Sequence, residues 1–222
     1  MNKAVIQTVS GLMLIATLLL SSTAAQADSQ GRIVLAQLDL SGKIAVTEGM
    51  QTDLQIGIEA FGRGNYRTAL KKLKPLAAKQ NATAQFCVGK MYMQGLGVKL
   101  NYTTAITLLR KASIQGHSEA QAFLGFVNYY GLGVPQNYKE AASWTRKAAE
   151  QGVAEAQHNL GWMYEKGQGV AQDSVQAYMW LKLAATSGEE GAIVKMSALE
   201  STMTPQEIEA GETLAKQWVA QH

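Results

Sequence analysis

Apolar residues recur at helical spacing along most of the chain, and the recurrence is itself periodic. Ala105 and Leu108, Ala141 and Trp144, and Ala177 and Trp180 stand at i, i+3, and Ala112, Ala148 and Ala184 follow on the same stripe. Each set predicts one apolar face of a helix. Ala84, Ala120, Ala156 and Ala192 are each 36 residues apart. The step of 36 also links Gln85, Gln121 and Gln157, then Gly89, Gly125 and Gly161, then Gly95, Gly131 and Gly167. It continues through Gly97, Gly133 and Gly169, Val98, Val134 and Val170, and Ala105, Ala141 and Ala177. It ends with the alanines at 112, 148 and 184 and with Gly116, Gly152 and Gly188. Chance would fill fewer than about one such column at ordinary residue usage, so the chain is a tandem array.

Each copy predicts a helix pair. The first helix is expected over Thr83–Gln94, Glu119–Tyr130 and Glu155–Lys166, each ending at a Gly-x-Gly-Val turn. The two glycines allow positive φ without a Cβ clash. Asn101, Asn137 and Asp173 share one column and are placed to cap the second helix, which Gly116, Gly152 or Gly188 then stops. Gly89, Gly125 and Gly161 fall inside first helices, where glycine costs about 1 kcal/mol relative to alanine. A close crossing of two helix backbones is the expected compensation.

The pattern resembles the Sel-one-like repeats, relatives of the tetratricopeptide repeats, in an exported bacterial form. The third copy carries the family motif through Ala154, Ala156, Gln157, Leu160, Gly161, Tyr164, Gly167, Gly169 and Val170, and on through Asp173, Ala177, Trp180, Ala184, Ala185 and Gly188. The second copy departs at Asn128, with Tyr129 beside it, and the first has Val88 for leucine and Leu108 for tryptophan. The resemblance implies an all-α, right-handed solenoid of about four helix pairs with terminal capping helices. The expected division is a leader over 1–27, an extended arm over 28–52, an N-terminal cap over 53–81, repeats over 82–117, 118–153 and 154–189, and a C-terminal cap over 190–222.

The flanks carry their own signals. Ala60 to Leu70 resembles the turn and second helix of a tetratricopeptide-type unit. Thr204-Pro205-Gln206-Glu207 is a helix start, with Thr204 as cap, Pro205 in the first turn and Glu207 reaching back, and a helix to about Ala220 is expected. Arg32-Ile33-Val34-Leu35 has strand character but no evident partner strand, which is why 28–52 is read as an arm. Lys3, the apolar run to Leu20 and Ala25-Gln26-Ala27 form an export leader with cleavage expected after Ala27. The run is shorter than the ~20 residues of a membrane span, so no stable membrane insertion is expected after cleavage. Cys87 is far from the cleavage point, which excludes a lipoprotein. A periplasmic or secreted protein is the expectation.

Composition narrows the chemistry. With 20 Lys and Arg against 17 Asp and Glu the formal charge is +3, and Lys3 leaves with the leader, so the total charge gives no reason to expect nucleic acid. One cysteine excludes a disulfide framework and multi-cysteine metal sites, and Cys87, inside a helical apolar pattern, is expected to be a buried inert thiol. The Gly-x-Gly loops lack a third glycine and a preceding strand, so they are structural turns and not a nucleotide site. His117, His158 and His222 lack metal-ligand spacing. Neither a cofactor, a metal nor a catalytic group is expected. Arg110, Arg146 and Lys182 form a basic column, read as a solvated helix face among interspersed glutamates.

One column varies in character while its neighbours stay fixed: Lys90, Phe126 and Trp162. In tetratricopeptide-like arrays first helices line a concave groove, and the resemblance places this column there with Met93, Tyr129 and Glu165, and with His158 one turn earlier. The expected function is a non-enzymatic scaffold of the cell envelope or exterior that binds a protein or peptide in this groove. Envelope assembly and host–microbe contact are roles the resemblance implies. The alternatives are an enzyme acting on cell-wall or β-lactam compounds, as described for some cysteine-rich relatives, and a structural organiser of an envelope complex. This chain lacks the paired cysteines of the former and any serine with lysine three residues on.

Overall fold

The computed structural model describes residues 25–27, 33–35 and 48–221. The chain divides into two units, Met1–Gly57 and Ile58–His222. In the first, strands β1 (Ala25–Ala27) and β2 (Ile33–Leu35) pair antiparallel with Gln26 opposite Val34. The segment read as an unpaired arm therefore has a strand with a partner, which the small residues before the expected cleavage point had concealed. Helix α1 (Glu48–Gly62) also starts inside that segment. The rest of the leader, including its basic start and apolar run, lies outside the described residues.

Ten helices lie among the described residues, and no described helix is long and apolar enough to cross a membrane. After α1 come α2 (Tyr66–Ala78), α3 (Ala82–Gln94), α4 (Tyr102–Ile114), α5 (Ser118–Tyr130), α6 (Tyr138–Glu150), α7 (Ala154–Lys166), α8 (Ser174–Thr186), α9 (Glu190–Glu200) and α10 (Pro205–Gln221). First helices α3, α5 and α7 pack on their second helices α4, α6 and α8, and each second helix packs on the next first helix. The result is the α-solenoid that the 36-residue period implies.

Local chemistry sets the boundaries. Gly95, Gly131 and Gly167 close the first helices at φ of 67°, 69° and 64°, in the left-handed region where a side chain would be strained. Asn101, Asn137 and Asp173 accept hydrogen bonds from the amides of Thr104, Glu140 and Gln176 at 2.9, 3.0 and 2.9 Å, satisfying orphan donors at the second-helix starts. The same column begins earlier than the three clear copies, because Asn65 caps α2 through Thr68 at 3.2 Å. Gln80 stands where later copies have Gly116, Gly152 and Gly188, and it keeps their positive φ at 66°. Helix α2 is thus a second helix of a degenerate fourth copy.

The mid-helix glycines mark the crossings. A Cβ on Gly161 would lie 2.8 Å from Leu181 Cγ and 3.0 Å from the Ala177 carbonyl oxygen, and Gly89 and Gly125 meet Leu109 and Thr145 in the same way. Hence the innermost column of the second helices is Leu109, Thr145 and Leu181, four residues after the alanine, and all three are buried. This corrects the stripe expected at i+3: Trp180 is buried, whereas Leu108 and Trp144 are half-buried. The i+4 residue meets its own first helix at the glycine, and the i+3 residue turns toward the preceding second helix.

Helices α9 and α10 both pack on α8 and end the array. Tyr178 Oη donates to Glu200 Oε1 at 3.0 Å, Lys182 Nζ reaches Glu212 Oε1 at 3.1 Å, and the rings of Trp180 and Trp218 are 6.3 Å apart. Thr204 Oγ1 accepts from the Glu207 amide at 3.3 Å while Glu207 Oε2 accepts from the Thr204 amide at 2.8 Å, the capping box expected there.

Candidate functional site

Each residue of the variable column directly follows a crossing glycine on its first helix, and the structure divides the seven expected groove residues into three groups. Met93 does not belong to an open face. It is buried in a core with Leu109, Leu124 and Val127, because a thioether at that position packs inward where Tyr129 and Glu165 keep polar tips. Lys90 is half-buried, with its ammonium 5.8, 5.4 and 5.6 Å from the ring centroids of Phe61, Phe86 and Phe123. His158 Nδ1 is 3.6 Å from Glu189 Oε1 at the junction of α7 and α9, and Glu165 pairs with Lys166 at 2.6 Å.

The remaining three, Phe126, Tyr129 and Trp162, come together. They line a cleft of about 240 Å³ bounded by α5, α6 and α7, with Tyr130, Glu155 and Asn159 at its rim and Gly125 and Thr145 from the helix crossing. Trp162 Nε1 donates to Tyr129 Oη at 3.2 Å, and Tyr129 Oη donates in turn to Gln168 Oε1 at 2.6 Å. The indole ring is covered by two ammonium groups, Lys195 Nζ at 3.5 Å and Lys166 Nζ at 4.7 Å from its centroid. Trp162 and Tyr129 are therefore half-buried, fixed walls.

Phe126 and Tyr130 form the open side, 42% and 59% exposed, with centroids 4.7 Å apart. Phe123 extends the aromatic run 5.9 Å from Phe126, and Tyr129 lies 4.9 Å from Tyr130 and 5.1 Å from Tyr138. Tyr130, Glu155 and Asn159 were not anticipated. Tyr130 had a signal, since two tyrosines follow Asn128, which stands where the family motif has its tyrosine; Asn159 and Glu155 had none, being exposed polar residues of α7.

The arrangement offers ring faces, a tyrosine hydroxyl and one carboxylate around a space sized for a side chain. It can hold an apolar or aromatic group by contact and orient it by hydrogen bonds. The one cysteine is no reagent: burial pushes the Cys87 thiol up to about 11, against the weaker opposing pull of Lys90. The basic column is tied down, with Arg110 on Glu140 at 3.6 Å, Arg146 on the Tyr164 hydroxyl at 2.7 Å and Lys182 on Glu212. Among the described residues no group of three or more His, Cys, Asp and Glu is placed to hold a metal ion.

The paired helices and their 36-residue period together define a helical-repeat protein of the solenoid class. Residues 82–117, 118–153 and 154–189 each match the Sel1 repeat family, and the chain belongs among the Sel1-repeat proteins, whose fold is of the protein-interaction scaffold type. It is similar to a Sel1 repeat protein from Oxalobacter formigenes, with 35% identity, a TM-score of 0.60 and coverage of 63% of this chain and 58% of that one. It is also similar to a protective antigen of uropathogenic Escherichia coli strains displaying an SLR fold, with 26% identity, a TM-score of 0.53 and coverage of 77% and 45%. The chain thus spans little more than half of the first and less than half of the second. No curated protein matches the chain.

Proposed function

We propose that this protein is a non-enzymatic scaffold, working in the cell envelope or outside the cell, that holds a protein or peptide segment against the aromatic face of its first helices. The observation that carries the reading is the exposure of Phe126 and Tyr130 beside the fixed walls Trp162 and Tyr129. Aromatic rings left open on a well-packed surface are the usual anchors of interfaces, and fixed walls spare the ordering cost of binding. Glu155 and Asn159 supply polar recognition at the same cleft. Export is supported by the basic start, apolar run and small-x-small site of residues 1–27. One of the similar structures is a protective antigen, in keeping with a role at or beyond the cell surface. The raised thiol of Cys87 and the side-chain pairing of the basic column support a role without chemistry.

The test is capture from an envelope extract on the immobilised protein, compared with a Phe126→Ala/Tyr130→Ala double variant of unchanged helicity. A partner retained by the first and lost by the second supports the reading. A nitrocefin turnover above background, unaffected by the double variant, would replace it with an enzyme.

A further inference from the structure

A second cleft, independent of the aromatic face, lies between α2 and α4. Its volume is about 590 Å³; Val88 and Tyr92 form the floor, and Lys74, Leu108 and Lys111 stand on the walls. Ile114 at its edge is 79% exposed. The array contains a filled version of this junction one period later, between α4 and α6. There Trp144 occupies the position of Leu108, Glu140 that of Thr104, Arg110 that of Lys74 and Lys147 that of Lys111. Arg110 Nη2 is 3.6 Å from Glu140 Oε1, Lys147 Nζ is 4.6 Å from the Trp144 ring centroid, and the ring packs against the core around Leu109 and Leu124. In the next copy Trp180 fills the same column.

At the α2–α4 junction both cations are kept and both of their partners are missing. Leu108 leaves the ring's place empty, Thr104 leaves no carboxylate, and no carboxylate of a described residue pairs with Lys74 or Lys111. The surroundings share this sign. Residues 58–117 hold ten Lys and Arg against the single Glu59, while residues 118–221 hold seven against twelve Asp and Glu. Arg67 and Lys71 continue the cationic edge along α2 beside the apolar Leu70 and Pro75.

We propose that this cleft binds an acidic peptide segment through an aromatic side chain. The ring enters over Val88 in the place Trp144 takes at the next junction, with Lys111 above its face. A carboxylate one helical turn before the ring pairs with Lys74, as Glu140 pairs with Arg110. Ring burial supplies affinity, and the two ammonium groups set orientation and select acidic sequences. A nucleic-acid strand would meet the same cations, but Tyr92 is the one aromatic residue in the lining, and there is no succession of rings on which successive bases stack.

The test is an amide-shift titration of the isotope-labelled protein with the capped peptide Tyr-Glu-Glu-Ala-Ala-Ser-Trp-Thr, which copies the start of α6 with its lysine made acidic. Shifts should centre on Val88, Leu108 and Lys111, and replacing the peptide's tryptophan by alanine should weaken binding at least tenfold. Leu108→Trp should fill the cleft and abolish binding; the surface variant Lys74→Glu/Lys111→Glu, which leaves the core untouched, should weaken it at least fivefold. Shifts centred on Phe126 and Trp162, binding that ignores both variants, tighter binding of an octathymidylate strand, or no binding up to millimolar peptide would each overturn the proposal.

Discussion

The side chain of Gln115 donates from Nε2 to Oε1 of Gln85 at 2.8 Å, joining the end of α4 to the start of α3 thirty residues earlier. Gln85 Nε2 in turn donates to the Ala77 carbonyl at 3.2 Å, so one amide ties a first helix both to its own second helix and to the preceding one. The pair recurs one period on, Gln151 to Gln121 at 2.7 Å and Gln121 to the Ser113 carbonyl at 3.0 Å. The third copy is incomplete. Gln157 donates to the Ala149 carbonyl at 3.2 Å, but Ser187 stands where a glutamine would reach back, and Gln157 Oε1 is buried without a partner. A buried acceptor left unpaired costs about 1–3 kcal/mol. Ser187→Gln should therefore raise stability by about 1 kcal/mol, and Gln115→Ala should lower it by a similar amount. Denaturant unfolding of both variants checks the pair, and equal midpoints would mean that solvent already satisfies Gln157.

The two repeat tryptophans should differ although they share a column. Trp180 is 4% exposed among Ala148, Ala149, Leu160 and Leu183, while Trp144 is half-buried and donates from Nε1 to Glu140 at 3.4 Å. Trp180→Ala should cost about 3–5 kcal/mol and Trp144→Ala roughly half of that. Trp180 Nε1 is itself buried without a partner, so Trp180→Phe should recover most of the loss. Thermal melting of the three variants would settle the order, and equal losses for the two alanine variants would contradict the burial difference.

Acid should loosen the second repeat through His117. Its Nδ1 accepts from the Ala120 amide at 3.3 Å as the cap of α5, and its ring rests on Phe86 with centroids 4.8 Å apart. Burial holds the imidazole below its ordinary value of 6.5, against the opposing pull of Glu119. A histidine with a depressed value in the folded state adds stability that is complete above the unfolded value and is lost as pH falls below it. Protonation at Nδ1 would turn the nitrogen toward Glu119 Oε2, 3.2 Å away, and leave the Ala120 amide uncapped. Asn81 fills the same column in the preceding copy and caps α3 through Ala84 at 2.9 Å. His117→Asn should thus keep the helix and flatten the fall in melting temperature between about pH 7 and pH 5. An unchanged slope in the variant would place the titration elsewhere.

How far the sequence reveals this molecule follows from the range of each interaction. Gly95, Asn101 and their periodic equivalents act within one turn, so their residue types alone mark helix ends. The phase of the core was harder, because Trp144 and Trp180 draw attention to i+3, while Leu109, Thr145 and Leu181 differ in type and reveal their common role only where Gly89, Gly125 and Gly161 meet them. Met93 shows the limit for the site: its column holds Tyr129 and Glu165, and only packing shows that the methionine turns inward. The segregation of charge was hidden by cancellation, since a total of +3 conceals a cationic half and an anionic half. Of the strand pair, Ile33–Leu35 had a signal in its branched residues, while its partner Ala25–Ala27 had none, since three small and polar residues leave no periodicity.

The aromatic face yields the most discriminating pair of variants. Trp162, Phe126 and Tyr130 line one cleft, but they are held differently. Trp162 is fixed by its hydrogen bond to Tyr129 and by the ammonium groups of Lys166 and Lys195, so Trp162→Ala removes a wall and several internal contacts together. It should lose about 1–2 kcal/mol of folding stability as well as partner affinity, in keeping with a cation–π pair and a hydrogen bond. Phe126 and Tyr130 are more exposed and touch mainly each other, Phe123 and Tyr129. Phe126→Ala should weaken capture of the partner by about 2 kcal/mol, the scale of an interface anchor, while leaving the melting temperature nearly unchanged. Measuring both quantities for both variants separates a binding face from a buttress of the fold. If Phe126→Ala lowered stability as much as Trp162→Ala and left partner affinity intact, the aromatic run would be packing between repeats and not a surface for a partner.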